Sequence, residues 1–319
     1  MPATLPDRSP AYTALLARMQ RGGMVLLDGG VGTEIQRLGA PMSTALWCAE
    51  ANLTHPRNVR EAHRLYLDAG AEVVTANTFA SSPLLLEHFG RLEEMERIDA
   101  IALAIAREAA LADPRAADLV IAGSMSTMRP TVPGSDRTQA DNGWGEAAAR
   151  LLFSRKAAGL RAAGADFIMM EMMRDLDYSL WACEAALASG LPVWIGLSVE
   201  RAADGRLVGF GRPDADLEPV AAGLAALKPD AMAIMHSSLD DTPTALEVLR
   251  RHWRGPLAAY PECGHFAAPD WQFVDVAPDE YARRSGEWRR LGATALGGCC
   301  GVGPAHIARL RREHPKDAR

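Results

Sequence analysis

Residues 61–79 read EAHRLYLDAGAEVVTANTF. In the first half Ala62, Leu65, Tyr66 and Ala69 recur at helical spacing, and the pattern stops at Gly70, a residue that ends helices because it enters the left-handed region without a Cβ penalty. The second half, EVVTAN, is a short β-branched run of the kind that makes a buried strand, and it closes on a polar residue, Asn77. This helix–glycine–strand unit repeats along the chain. Further runs are MVLLD (24–28), LVIAGS (119–124), DFIMME (166–171), PVWIGLS (192–198), AMAIMH (231–236), PLAAY (256–260) and TALGG (294–298). Alanine-rich stretches of helical periodicity lie between them. Such alternation predicts parallel strands joined by crossover helices. Eight units fit a closed barrel better than an open sheet, and no Gly-x-Gly-x-x-Gly follows the first run to suggest a dinucleotide fold. The expected class is α/β, a single (β/α)8 TIM barrel, with residues 1–319 as one domain and the barrel core at about 22–312.

The 319 residues are 48% hydrophobic, enough for a large core, and carry a net charge of −6 with no basic run. Nucleic acid and anionic membrane surfaces therefore find no docking face, and a small polar partner is expected. No stretch of eighteen apolar residues occurs, nor does the start combine basic residues with an apolar segment, which predicts a cytoplasmic protein. Five cysteines (48, 183, 263, 299 and 300) are an odd number for a reducing compartment, leaving metal ligand, nucleophile or buried thiol as their roles.

In a barrel of this kind the loops after the strands build the active face. The residues at or just past the predicted strand ends are Asp28, Asn77, Ser124, Glu171, Ser198, His236, Tyr260 with Cys263, and Cys299 with Cys300. The last two stand between glycines in ALGGCCGVGP (295–304). Adjacent cysteines rarely pair with each other, because a bridge across one peptide bond strains the disulfide. Zinc is bound by thiolate and imidazole, with three protein ligands and an open position where it is catalytic, and Cys299 and Cys300 supply two such ligands. Cys48 and Cys183 read as packed thiols.

Several motifs together carry a resemblance: LLDGGVGTEIQRLG (26–39), LW (46–47), AHRLYLDAGAEVVTANTF (62–79), GADFIMMEMM (164–173), YPECG (260–264) and GGCCGVGPAHI (297–307). With them the chain resembles the zinc-dependent homocysteine S-methyltransferase family, which shares its barrel with betaine–homocysteine methyltransferase and with the homocysteine domain of methionine synthase. The resemblance implies Zn2+ held by three cysteines, two from Gly-Gly-Cys-Cys-Gly and one from an Asn-Cys pair closing the sixth strand. Here that pair reads Met235-His236. Two replacements for the missing thiolate are at hand: His236 itself, giving a Cys2His set, or Cys263 in YPECG as the alternative third ligand. With His236 the formal charge of the metal set rises from −1 to zero, which makes a bound thiol more acidic and its thiolate less nucleophilic.

The resemblance further implies that Asp28, Gly29 and Gly30 receive the amino-acid part of the acceptor. Glu171 would bind its amine, although Met172 follows where the family has Thr or Tyr. Trp47 and Phe79 would line a methyl-donor pocket, where an aromatic face stabilises a cation by about 0.5–2 kcal/mol, and Asn77 completes the substrate-binding set. Trp144, Tyr260, Phe266 and Trp271 are weaker aromatic candidates. GSMSTMRPTVPG (123–134) departs from the Gly-Pro-Tyr-Gly common in relatives, and DRTQADNGWG (136–145) reads as a solvated connection or a lid. The implied activity is methyl transfer from a sulfonium or ammonium donor (S-methylmethionine, S-adenosylmethionine or betaine) to a thiol, homocysteine by default, giving methionine. Alternatives are a divergent member with a Cys2His site acting on another thiol or selenol, or performing metal-dependent hydrolysis or lyase chemistry, and a zinc-free binding protein. A homo-oligomer is compatible with the resemblance.

Overall fold

The structure, a computed structural model, describes residues 8–316 apart from 44–45, 133–134, 136, 140–142, 268–269 and 274–275; side chains are described outside 265–275. The barrel strands are β1 (Val25–Leu26), β2 (Val73–Ala76), β3 (Val120–Ser126), β4 (Phe167–Met173), β5 (Val193–Leu197), β6 (Ala231–Met235), β7 (Leu257–Tyr260) and β8 (Ala293–Leu296). Each is parallel to its sequence neighbours, and β8 pairs with β1. A parallel bridge between Leu27 and Val73 joins β1 to β2, with the Glu72 amide donating to the Leu26 carbonyl at 2.8 Å. The expected (β/α)8 TIM barrel is the observed fold.

Side-chain alternation explains why these runs make strands. Val25, Val73, Ala122, Phe167, Trp194 and Ala233 point into the barrel and share one interior cluster. Their neighbours Leu26, Val74, Ile121, Ile168, Ile195 and Ile234 point outward into the cluster formed with the helices. The crossover helices are Pro56–Asp68, Met95–Leu111, Glu146–Ala162, Asp177–Ala188, Leu217–Ala225, Asp241–His252 and Pro278–Arg290, and Pro304–Glu313 follows β8. β3 and β4 run two residues farther than their apolar runs suggested, so Ser124 and Glu171 lie inside strands. In β4 the extra length coincides with a register shift between Met170 and Met173, where Met172 takes a φ of 57°.

Helix Pro10–Gln20 lies outside the repeat. It buries Tyr12, Leu15, Leu16 and Met19 in the interior cluster. The Tyr12 ring lies 5.3 Å from Phe167, and its hydroxyl donates to Asp230 at 2.7 Å and accepts from Trp194 Nε1 at 3.0 Å. Those partners sit at the starts of β4, β5 and β6, so this helix stoppers the N-terminal end of the barrel. At the opposite end, β5 leads into a three-stranded antiparallel element (Val199–Arg201, Leu207–Gly209, Arg212–Asp216), and a hairpin (Gly264–Ala267, Asp270–Phe273) follows β7. No helix among the described residues is long and apolar enough to cross a membrane.

One buried ion pair ties two helices to the active face. Lys156 is fully buried, and its Nζ donates to Asp99 at 2.7 and 2.8 Å, to Ser81 Oγ at 2.8 Å and to the Ser81 and Thr78 carbonyls at 3.1 and 3.2 Å. It therefore holds the loop after β2 that carries Asn77 and Phe79.

Candidate metal and substrate site

The turn after β8 is shaped by glycine. Gly301 has φ +81°, and a Cβ there would lie 2.3 Å from the Cys263 carbonyl oxygen. Only glycine fits. The Cys263 amide donates to the Cys300 carbonyl at 2.8 Å, and the Cys299 amide to the Pro261 carbonyl at 2.9 Å, so the β7 and β8 loops brace each other. This brings Cys299 Sγ within 3.4 Å of His236 Nδ1 and 4.0 Å of Cys300 Sγ, and donor atoms of all three residues lie within 4.8 Å of one another. A tetrahedral centre with bonds of ~2.3 Å to sulfur and ~2.05 Å to nitrogen has S–N and S–S edges of about 3.6 and 3.8 Å. The two closer separations approach those edges, so the donor set fits a zinc ion by both chemistry and spacing.

His236 is held firmly. Its φ is 43°, its carbonyl accepts from Ser198 Oγ at 2.7 Å, its ring meets Phe210 edge-on at 5.0 Å, and Nδ1 lies 3.0 Å from Glu262 Oε2. The hydrogen bond with Cys300, and after it His236, pulls the Cys299 thiol well below its ordinary range, while Cys300 is pushed well above its own by the same hydrogen bond and by burial. Cys263 is buried in the helix-side cluster outside the three-residue donor group, and burial pushes its thiol up to about 12.

Two buried carboxylates face the same cavity. Asp28 accepts from the Thr75 amide at 2.6 Å and from Thr75 Oγ1 at 2.8 Å; Glu171 accepts from Ser124 Oγ. Burial raises Asp28 to about 7 against those bonds, and burial followed by the Cys299 thiolate raises Glu171 to about 8. Among the described residues neither has a Lys or Arg partner. Gly29 and Gly30 lie against the protein's own β8 loop: a Cβ on Gly29 would meet the Val302 carbonyl at 2.1 Å and the Tyr66 ring at 2.7 Å.

The remaining wall is aromatic and sulfur-rich. Trp47 and Phe79 meet at 6.3 Å with planes at 65°, and both line the cavity with Met42, Cys48 and Met172. The Asn77 amide is committed to the chain: Nδ2 donates to the Cys48 carbonyl at 2.8 Å and to Asn52 Oδ1 at 3.0 Å, and Oδ1 accepts from Cys48 Sγ at 3.0 Å. Tyr260 also lines the cavity, and its buried hydroxyl has no hydrogen-bond partner among the described residues. Of the four described non-glycine residues with positive φ, Trp47, Met172 and His236 border this cavity. Such backbone costs of order 1–3 kcal/mol per residue and gathers at functional sites. Cys183 is a fully buried core residue, and Trp144 does not line the cavity. The side chains of Phe266 and Trp271, and several residues of 133–142, lie outside the described residues.

A sequence model described as homocysteine S-methyltransferase matches residues 25–314, the whole barrel. The chain belongs to the homocysteine S-methyltransferase family. It is thereby an S-methyltransferase. Among its relatives is homocysteine S-methyltransferase of Escherichia coli K12, 27% identical over 93% of this chain and 97% of that protein. Another is rat betaine–homocysteine S-methyltransferase 1, 26% identical over 95% and 75%. The crystal structure of the homocysteine methyltransferase MmuM from E. coli in its metallated form has the same fold, with a TM-score of 0.75 at 24% identity over 95% and 99% of the two chains. Thr75 and Glu262 take part in this site although the sequence suggested no role for them; Ser124 was marked only by its place at a strand end, and Cys48, expected to be a packed thiol, also lines the cavity. Glu262 lies inside the quoted YPECG, next to the cysteine that drew attention instead.

Proposed function

We propose that the protein transfers a methyl group from a positively charged sulfonium donor to the thiol of homocysteine, forming methionine in the cytoplasm, with Zn2+ held by Cys299, Cys300 and His236. The observation that carries this reading is one cavity in which two thiols and an imidazole face two buried carboxylates that have no Lys or Arg partner among the described residues. Zn2+ bound there supplies the Lewis acidity that ionises an acceptor thiol at neutral pH. The chain's own residues do the rest. Glu171 and Asp28 receive the acceptor's ammonium group, whose charge answers theirs and draws both carboxylates back toward the ionised form. Trp47 and Phe79 offer ring faces to the donor cation. The acceptor thiolate attacks the methyl carbon, and the bonding pair leaves with the donor sulfur as a neutral thioether. The barrel contributes by holding sulfur, carbon and leaving group in line.

S-Methylmethionine and S-adenosylmethionine are the favoured donors, ahead of betaine. The test uses protein purified without chelator, incubated with homocysteine and each donor in turn. Methionine forms with a sulfonium donor, stops after chelation and returns with Zn2+; no methionine from any donor sinks the proposal. A second reading rests on His236 standing where the family resemblance implies cysteine: the less electron-rich site suits an acceptor that stays nucleophilic at low basicity, such as a selenol. A selenol acceptor outpacing homocysteine in the same assay supports it.

A further inference from the structure

Around Phe210, whose ring meets His236, arginines gather at the C-terminal ends of β3 to β5. Arg129 follows β3, Arg174 and Asp175 follow β4, and Arg212 belongs to the antiparallel element after β5. Arg212 donates to Asp175 Oδ2 at 2.7 Å and to Asp214. Arg137 pairs with Glu200 at 2.6 Å and lies over the Phe210 ring at 4.5 Å. The other two arginines are not matched in this way. Arg174, 4% exposed, donates to the Phe210 carbonyl at 3.4 Å and to Thr138 Oγ1, both neutral acceptors. Arg129, 8% exposed, stacks on Tyr178 at 4.1 Å, and its one carboxylate contact is Asp175 Oδ2 at 3.8 Å, an oxygen already taken by Arg212. The Nε of both is buried without a partner among the described residues.

A guanidinium carries five N–H donors, and when buried it normally meets a carboxylate or phosphate in a two-pronged bond. Among the described residues these two lack that counterpart. Burial, and next the Arg129 charge, pull Arg174 down to about 10 against the opposing pull of Asp175, as expected where several cations crowd around one carboxylate. The crowding adjoins the candidate metal site: Arg174 bonds the Phe210 backbone, and the Phe210 ring touches His236.

We propose that Arg129 and Arg174 form a receptor for an oxyanion, the carboxylate or phosphate at the far end of a substrate that extends from the thiol cavity past Phe210. Calling the ligand a substrate rests on the methyl-transfer reading; the oxyanion binding does not. Unmatched buried cations are a liability to the unliganded fold that a bound anion removes.

The test is thermal unfolding of the whole protein in succinate, in inorganic phosphate and in sodium chloride at matched ionic strength. Wild type is expected to show a saturable rise in Tm with succinate, with phosphate or with both, beyond that in chloride; which anion acts tells carboxylate from phosphate. Arg129→Gln is expected to weaken that binding at least tenfold while its own anion-free Tm equals or exceeds wild type, because an unmet charge has been removed. A purely structural arginine gives the opposite, a lowered anion-free Tm. The proposal is overturned by that lowering, by equal anion response in variant and wild type, or by no saturable response in either anion. Should Arg129→Gln not yield folded protein, Arg174→Gln is read by the same criteria. None of these readouts requires turnover, so failure of the methyl-transfer assay and failure of oxyanion binding are told apart.

Discussion

His63 offers a quantitative test of how the barrel wall is built. It lies on helix Pro56–Asp68, buried with Val59, Ala62, Tyr66 and Leu67, and both of its ring nitrogens lack a hydrogen-bond partner among the described residues. Burial lowers its pKa to about 4. In the unfolded chain it titrates near the ordinary value of about 6.5. The folded state thus holds His63 neutral, and its contribution is fully present above pH 6.5 and is lost as pH falls toward 4, because the unfolded chain takes up the proton first. At about 1.36 kcal/mol per tenfold, the full loss is at most about 3.4 kcal/mol, and between pH 7.5 and 5.0 it is about 2 kcal/mol. His63→Leu removes this linkage. Its stability relative to wild type is expected to improve by about 2 kcal/mol between those pH values, on top of a pH-independent gain from deleting two unsatisfied buried nitrogens. Urea unfolding followed by circular dichroism at both pH values measures it. A stability difference that changes by less than about 0.5 kcal/mol across that range refutes the reasoning, since the ring would then reach solvent or a partner when protonated.

Three further outcomes are expected. Lys156→Met strands the Asp99 carboxylate and costs about 3–5 kcal/mol, while the double change Lys156→Met with Asp99→Leu recovers most of it; urea midpoints decide, and an equally unstable double variant contradicts the account. His236→Ala lowers the zinc content of dialysed protein and Cys263→Ser does not, as read by elemental analysis; the reverse pattern moves the third ligand to the β7 loop. Tyr260→Phe removes a buried hydroxyl of a cavity-lining residue that has no hydrogen-bond partner among the described residues; if the acceptor reaches it, the acceptor KM rises about 2–10-fold with Tm unchanged. An unchanged KM means that the hydroxyl does not touch substrate.

Much of the fold was legible because its signals are local. Each strand is a short apolar run closed by glycine or a polar residue, and EVVTAN after Gly70 reads as a strand without reference to anything distant. The active face was legible for the same reason, since polar types collect at one end of each run. The meeting of Cys299 with His236, 63 positions apart, was reached only through the family resemblance, with Cys263 left as an alternative, because it depends on the lateral pairing of β6, β7 and β8. The positive φ of Trp47, Met172 and His236 has no signature either: their side chains do not favour that backbone, which surrounding packing imposes. Arg129 and Arg174 carry no motif, and their burial depends on distant contacts, Arg174 with the Phe210 carbonyl and Arg129 with the Tyr178 ring. Helix Pro10–Gln20 escaped because it belongs to no repeat and finds its partners in β4 to β6, far along the chain.

That helix has a kinetic meaning. With one end of the barrel corked, the chamber is a cul-de-sac, and everything that reacts must come and go through the same doorway. Under the methyl-transfer proposal, an acceptor whose sulfur reaches Cys299 and a donor resting on Trp47 and Phe79 would share that doorway. Ordered turnover, throttled by excess donor loitering at the entrance, is the kinetic pattern that proposal predicts.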